Sequence, residues 1–268
     1  MSVSVSVLIP VYNNVRNLEL VLCGLELQSF QDFEVVIGDD GSGEEMREFI
    51  QSYHGPFPLQ YVWHPDEGFR RSKILNEAAK KASGNYFIFM DSDCIPHTHF
   101  VHDHWQAHKS MVVLCGRRVD LGERLTKNLK VADIKYKRHQ RMSYVLLQDI
   151  LQGKTINWEE SIRLPFQWMG RLIHWKSPSL LGSNFSLERS LFVRINGFNE
   201  DYVGYGLEDS DLSHRLQLAG ARLKTLRHYA IQYHIDHPKG QDFSPNVALF
   251  ERTLQLSDPV CKNGLRKL

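Results

Sequence analysis

Two carboxylates set two residues apart, Asp91 and Asp93, follow directly on the apolar run Tyr86-Phe87-Ile88-Phe89-Met90. Hard divalent cations such as Mg²⁺ and Mn²⁺ take oxygen ligands and share them with substrate phosphates, so an Asp-Ser-Asp turn at a strand end can face one ion and a diphosphate together. The same tripeptide also suits a solvated turn, and only its position favours the chemical use. Asp39-Asp40-Gly41-Ser42 stops a second apolar run, and Glu208-Asp209-Ser210-Asp211 opens a helical pattern. Arg71 and Lys73 lie near another helix start, where cations and free backbone N–H groups suit a diphosphate.

These groups need a scaffold that brings them to one place. The first hundred residues alternate short apolar strands with helical spacing. Strands are expected at 3–9, 33–37, 59–63 and 86–90, and helices at 17–27, 44–53 and 73–82. Ser42 is a candidate N-cap for the second helix, and Gly84 is expected to close the third. The order predicts an α/β fold, a Rossmann-like doubly wound, mostly parallel sheet with helices on both faces. Ligands of such sheets gather at the carboxyl ends of the strands. Pro10-Val11-Tyr12, Asp39-Asp40-Gly41 and Asp91-Ser92-Asp93 all fall on that rim.

The second half is organised differently. Residues 116–163 are helical and basic, and an aromatic segment with Trp168 and Trp175 follows. Order returns with a strand at 181–187, helices at 189–195 and 208–218, strand-like 222–226 and 230–234, and a helix near 248–256. With 268 residues, 42% hydrophobic and 24% charged, the chain reads as one domain with a full core. The expected divisions are 1–115, 116–180, 181–245 and 246–268. A net charge of +1 argues against a nucleic-acid partner. Cys23, Cys94, Cys115 and Cys261 are scattered, which favours a reducing compartment, and no apolar stretch is long enough to cross a bilayer. The expected location is cytoplasmic, free or peripheral on the inner face of the membrane. Arg117 to Arg141 reads first as a solvated helical face, with contact to anionic lipid or a lipid-linked acceptor as the alternative.

Leu8-Ile9-Pro10-Val11-Tyr12-Asn13, Val35 through Ser42 and Gly84 through Asp93 together resemble the GT-A glycosyltransferases of family 2. The resemblance implies that Pro10 and Tyr12 flank a nucleobase and that Asp39 or Asp40 bonds the base or ribose. It implies that Arg71, Lys73 and Asp91 serve the donor diphosphate, with Asn76 near the nucleotide. Asn196 through Asp211 resembles the carboxyl-terminal module of β-1,4-galactosyltransferases and chondroitin-polymerase-type enzymes. Matched residue by residue, Asp209 falls on the general base, Glu208 on the acceptor-binding acid and Tyr205 on the aromatic that stacks on sugar. Ser183 and Asn184 fall on the segment that lines the donor sugar. His234 falls on the histidine that completes the metal site with Asp93, with His237 in reserve, and a mixed carboxylate–imidazole set suits Mn²⁺ more than Mg²⁺. Val203 and Leu207 depart from the pattern, which often has Trp and Gly there.

The resemblance implies transfer of a hexose or N-acetylhexosamine from a UDP-sugar to a hydroxyl of a glycan or lipid-linked glycan. A single base with no nucleophilic partner points to inversion. A sugar nucleotidyltransferase would carry a Gly-rich phosphate loop where this chain has Pro10-Val11-Tyr12-Asn13. A binding module without catalysis is the other alternative.

Overall fold

The protein is described from a computed structural model covering residues 3–141, 144–164, 178–237 and 244–268. Most of the aromatic segment, with Trp168 and Trp175, lies outside the described residues. In chain order the elements are β1 (Val5–Val11), α1 (Val15–Glu26), β2 (Phe33–Asp39), α2 (Glu44–Ser52), β3 (Leu59–Trp63), α3 (Arg71–Lys81), β4 (Tyr86–Met90), β5 (Cys94–Pro96), α4 (Phe100–Ala107), β6 (Val112–Cys115) and β7 (Val119–Asp120). They continue with α5 (Glu123–Asn128), α6 (Val131–Lys135), α7 (Tyr144–Leu151), β8 (Asn184–Glu188), α8 (Arg189–Arg194), α9 (Glu208–Leu218), β9 (Arg222–Thr225), β10 (Gln232–His234) and α10 (Ser244–Thr253).

The main sheet runs β3-β2-β1-β4-β8-β6-β9, and β5-β10-β7 form a smaller one. Strands β3, β2, β1 and β4 are parallel, as the βαβ order requires, while β8 enters antiparallel between β4 and β6. The second half of the chain enters the sheet through β8 and again through β9, which pairs with β6 at the edge. Alternation along β1 separates the core into two layers. Val5, Val7 and Ile9 pack with α1, α2 and α4 on one face, and Leu8 packs with α3, α8 and α9 on the other. The sheet is therefore covered on both sides, and its central strands β1, β2 and β4 are buried nearly throughout.

Local chemistry shifts several boundaries. Asn14, not a residue further on, caps α1 by accepting from Asn17 N at 3.0 Å. The N-cap of α2 is Gly43 with no side-chain cap, because the Ser42 hydroxyl instead accepts from Asn13 N at 2.8 Å. Helix α3 ends at Lys81 with Ala82 as its C-cap, so Gly84 is not its cap. Gly84 N bonds the Ser6 hydroxyl at 2.9 Å on the next strand. Among the described residues no helix is long and apolar enough to cross a membrane. All four cysteines are buried and free.

Candidate active site

The ends of β1 and β2 are tied into one loop pair. Asp40 N bonds Val11 O, and Gly43 N bonds Asn13 Oδ1 at 2.9 Å. Gly41 is at φ +97°, and a β-carbon there would lie 2.4 Å from Asp66 Cα, so only glycine fits this close approach. Asp39 is fully buried with both oxygens engaged, one by Ser42 N at 2.8 Å and the other by the Tyr61 hydroxyl at 2.5 Å. It builds the turn. Asp40 takes Arg70 N at 2.7 Å on Oδ2, but its Oδ1 has no hydrogen bond although His64 Nε2 lies 3.1 Å away. Burial raises the Asp40 pKa against the pull of that backbone bond. Tyr12 stands half exposed above this loop, its hydroxyl donating to Asp66 Oδ2 at 2.8 Å. Pro10 is half-buried at the end of β1, paired in register with Gly38.

The Asp91–Asp93 turn sits between two clusters. On one side is Arg71, buried at the start of α3. Its Nη2 donates to Asp91 Oδ1 at 2.8 Å and to Gly182 O at 3.0 Å, and its Nη1 lies 3.6 Å from Glu208 Oε1. Burial alone would lower the Arg71 pKa, but Asp91 and Glu208 outweigh it and raise it. Gly182 in turn donates its N–H to Asp209 Oδ2 at 3.2 Å. A residue at the donor end thus holds, directly and through one backbone unit, both acids at the start of α9. Glu208 has its pKa raised by burial, with Arg71 opposing. Glu208 and Asp209 also lie in the first turn of α9, where the N-terminal dipole favours negative charge.

On the other side Asp93 meets the end of β10. His237 Nε2 is 3.0 Å and His234 Nε2 3.6 Å from Asp93 Oδ2, and the two histidine nitrogens are 3.2 Å apart. Ligand atoms of Asp93, His234 and His237 all lie within 4.8 Å of one another. One carboxylate and two imidazoles fit a borderline divalent ion, and His237 belongs to the set as fully as His234. Burial would raise the Asp93 pKa, but the two imidazoles beside its Oδ2 hold it well below the ordinary carboxylate range. Sequence reading missed Asp120, whose Oδ1 is 3.1 Å from His234 Nδ1. It closes β7, a two-residue strand with no periodicity to find.

Other expected residues are placed less directly. Lys73 pairs with Glu67 at 2.8 Å on the surface. Asn76 is fully buried and fastens the acceptor-side loop, donating to Phe198 O and Glu200 Oε1 at 2.9 Å each and accepting from Phe198 N. Its amide is committed to that loop. Ser183 is buried, its carbonyl taking Gln232 Nε2 at 2.9 Å. Asn184 is buried behind the cleft, its Nδ2 donating to Arg117 O and Ala230 O and its Oδ1 taking His104 Nε2 at 3.1 Å. Burial pushes His104 down to about 3, which keeps the ring neutral. A β-carbon on Gly116 would lie 2.1 Å from Asn184 Oδ1, so this packing needs glycine. Tyr205 is half exposed at the mouth, and Asn246 Nδ2 donates to Gly206 O at 2.8 Å beneath it. Asp211 is a strut: Arg215 donates to it at 2.6 and 2.8 Å and also bonds Ile195 O and Gly197 O, all in the core. Of the basic stretch, Arg118, Lys127 and Arg138 pair with Asp120, Glu123 and Asp133.

A two-faced, mostly parallel α/β sheet with acids at the carboxyl ends of its strands has the architecture of a GT-A-type fold. The model for glycosyl transferase family 2 matches residues 6–172, and one described as the N-terminal domain of galactosyltransferase matches 172–238. The chain belongs to glycosyl transferase family 2. It is 27% identical over 263 residues to the validoxylamine A glucosyltransferase of Streptomyces hygroscopicus subsp. jinggangensis, covering 91% of this chain and 57% of that protein. It is 23% identical over 268 residues to the chondroitin synthase of Escherichia coli, covering 94% and 37%. The chain therefore spans well under two thirds of the length of these relatives. S. aureus TarS 1-349 in complex with UDP-GlcNAc shares the fold, with a TM-score of 0.63 at 19% identity over 95% of this chain and 65% of that one.

Proposed function

We propose that the chain is a metal-assisted, inverting glycosyltransferase that moves a hexose or N-acetylhexosamine from a UDP-sugar to a hydroxyl of a glycan or lipid-linked glycan. The observation that carries this reading is the bridge from Asp91 through Arg71 and Gly182 to Glu208 and Asp209, which links a donor-side acid to a candidate base. Residues 1–115 form the donor half, 181–245 the acceptor and catalytic half, with 116–180 inserted between them and 246–268 a closing helix and tail. Tyr12 and Asp40 receive the nucleoside, with Pro10 and Asp39 shaping its loop. The TarS complex with UDP-GlcNAc supports a UDP-sugar donor, and the mannosyltransferase PcManGT, with a TM-score of 0.59, was solved with GDP-Man and Mn²⁺.

Asp209 accepts the proton of the acceptor hydroxyl as that oxygen attacks the anomeric carbon opposite the departing diphosphate, which inverts the centre. Gly182 N–H holds the Asp209 carboxylate in place, and Glu208 and Tyr205 orient the acceptor. Arg71 keeps positive charge beside the diphosphate site. Asp93, His234 and His237 would hold a divalent cation, Mn²⁺ in preference to Mg²⁺, which when bound would supply charge against the leaving diphosphate.

Asp209→Asn should leave UDP-sugar binding intact, read as a thermal shift with Mn²⁺ present, while turnover falls about 10²- to 10⁴-fold. Undiminished turnover in that variant would sink the base assignment. Loss of donor binding in the same variant would move Asp209 from catalysis to donor recognition.

A further inference from the structure

Asp120 has a more specific setting than its place in a two-residue strand suggests. Strand β10 lies parallel to β7 with His234 opposite Asp120, and Leu121 N bonds His234 O at 2.9 Å. The Asp120 carboxylate is used on both oxygens. Oδ1 meets His234 Nδ1 at 3.1 Å and Arg118 Nε at 3.0 Å, and Oδ2 accepts from Asn157 Nδ2 at 3.0 Å. Its backbone is bonded both ways to Ile156, at 3.0 and 2.9 Å. Arg118, Asp120 and Asn157 all belong to the segment whose basic character had no evident use.

An ionised carboxylate only accepts, so the proton of a neutral His234 ring must sit on Nδ1. The lone pair is then on Nε2, which is the nitrogen facing Asp93 and His237. Without Asp120 the ring could carry its proton on Nε2 and donate it to Asp93, which would occupy two ligands with each other. A carboxylate on the far nitrogen also makes the near one more basic.

We propose that Asp120, braced by Arg118 and Asn157, is a positioning residue that fixes His234 as the Nδ1–H tautomer and so sets the affinity of the Asp93–His234–His237 cluster for a divalent cation. This rests on the metal reading given under Proposed function. The test measures Mn²⁺ binding by calorimetry, with and without UDP, for the whole chain and its Asp120→Ala, Asp120→Asn and Asn157→Ala variants. Long-range ¹H–¹⁵N spectra of the histidine rings read the tautomer in parallel. Asp120→Ala should weaken Mn²⁺ binding about 10- to 100-fold and spread His234 over both tautomers. Asp120→Asn, which can still accept from Nδ1–H, should recover most of the affinity, and Asn157→Ala should lose a smaller part of it. If Asp120→Ala does not fold, Asn157→Ala, with its expected partial loss of Mn²⁺ affinity, carries the decision. Unchanged affinity and an unchanged His234 tautomer across the folded variants overturn the Asp120 role alone. A parent chain that binds no Mn²⁺ under either condition overturns the metal reading beneath it.

Discussion

Asp91 and Asp93 belong to one turn, yet the clusters around them are built on opposite plans. Asp91 is answered by Arg71, a cation that is part of the chain and cannot leave. Its guanidinium also holds Gly182 and lies beside Glu208, so the cluster is a strut between the halves. Asp93 is answered by two imidazoles whose nitrogens point at one another and at one carboxylate oxygen. That is a set of lone pairs suited to an exchangeable ion. Two residues of sequence separate a permanent charge pair from a proposed ion site, and the separation has consequences that can be measured.

The largest effect should come from breaking the strut. Arg71→Met leaves Glu208 and Asp91 without their buried partner, and removing one member of a largely buried pair costs about 3 kcal/mol. For a domain of this size that lowers the melting temperature by about 6–12 °C. Arg71→Lys retains the charge but not the two-armed donor, since Nη1 and Nη2 face different partners, and should fall between. Mn²⁺ affinity should change far less than stability in both. Melting of Arg71→Met at the parent temperature would mean the bridge holds nothing. A loss of Mn²⁺ affinity as large as that of His234→Ala would mean the two clusters are one.

A smaller effect sharpens how the strut is delivered. Leu207, the N-cap of α9, is held at φ +71° with no side-chain cap. A non-glycine residue in that region carries roughly 1 kcal/mol of strain. Leu207→Gly should therefore raise the melting temperature by about 2–4 °C if the strain is only structural. A gain in stability with reduced turnover would show that the strained entry keeps Glu208 and Asp209 aligned. A fall in stability would show that the Leu207 side chain matters more than its backbone.

The same contrast explains what the sequence disclosed. Strands β3 and β4 and helix α9 match their expected spans because apolar runs and periodic spacing are local signals. Rim loops follow once strand order is known, so Tyr12, Asp40, Asp91 and Asp93 could be grouped in advance. The antiparallel insertion of β8 depends on pairing across long separations, which no window of sequence contains. Side-chain commitment was equally hidden. Asp39 and Asp40 are adjacent carboxylates, and only the positions of Tyr61, Ser42 and Arg70 show that the first is spent on its own turn. Asn76 and Asn184 are drawn inward by backbone carbonyls from distant segments. Asp120 acts through His234, which lies more than a hundred residues away.

The smallest effect is one of sign, and it separates the two clusters by pH. The folded chain raises the pKa of Glu208 above its ordinary value, chiefly through burial. The native state therefore keeps a proton that the unfolded state has already lost, and stability falls as pH rises through the interval between the two values. Glu208→Gln mimics the protonated form. It should melt with the parent chain below the ordinary glutamate range and above it once that interval is passed. Asp93 has the opposite shift, because the neighbouring His234 and His237 outweigh its burial. Its contribution is present above the ordinary aspartate range and is lost as pH falls toward the lowered value. Asp93→Asn should therefore be less stable than the parent near neutrality, with the deficit shrinking in acid. Melting curves from pH 3 to 8 in metal-free buffer would give difference profiles of opposite sign for the two variants. Profiles of the same sign would show that the strut and the ion site titrate as one charge network, and the distinction drawn between Asp91 and Asp93 would fail.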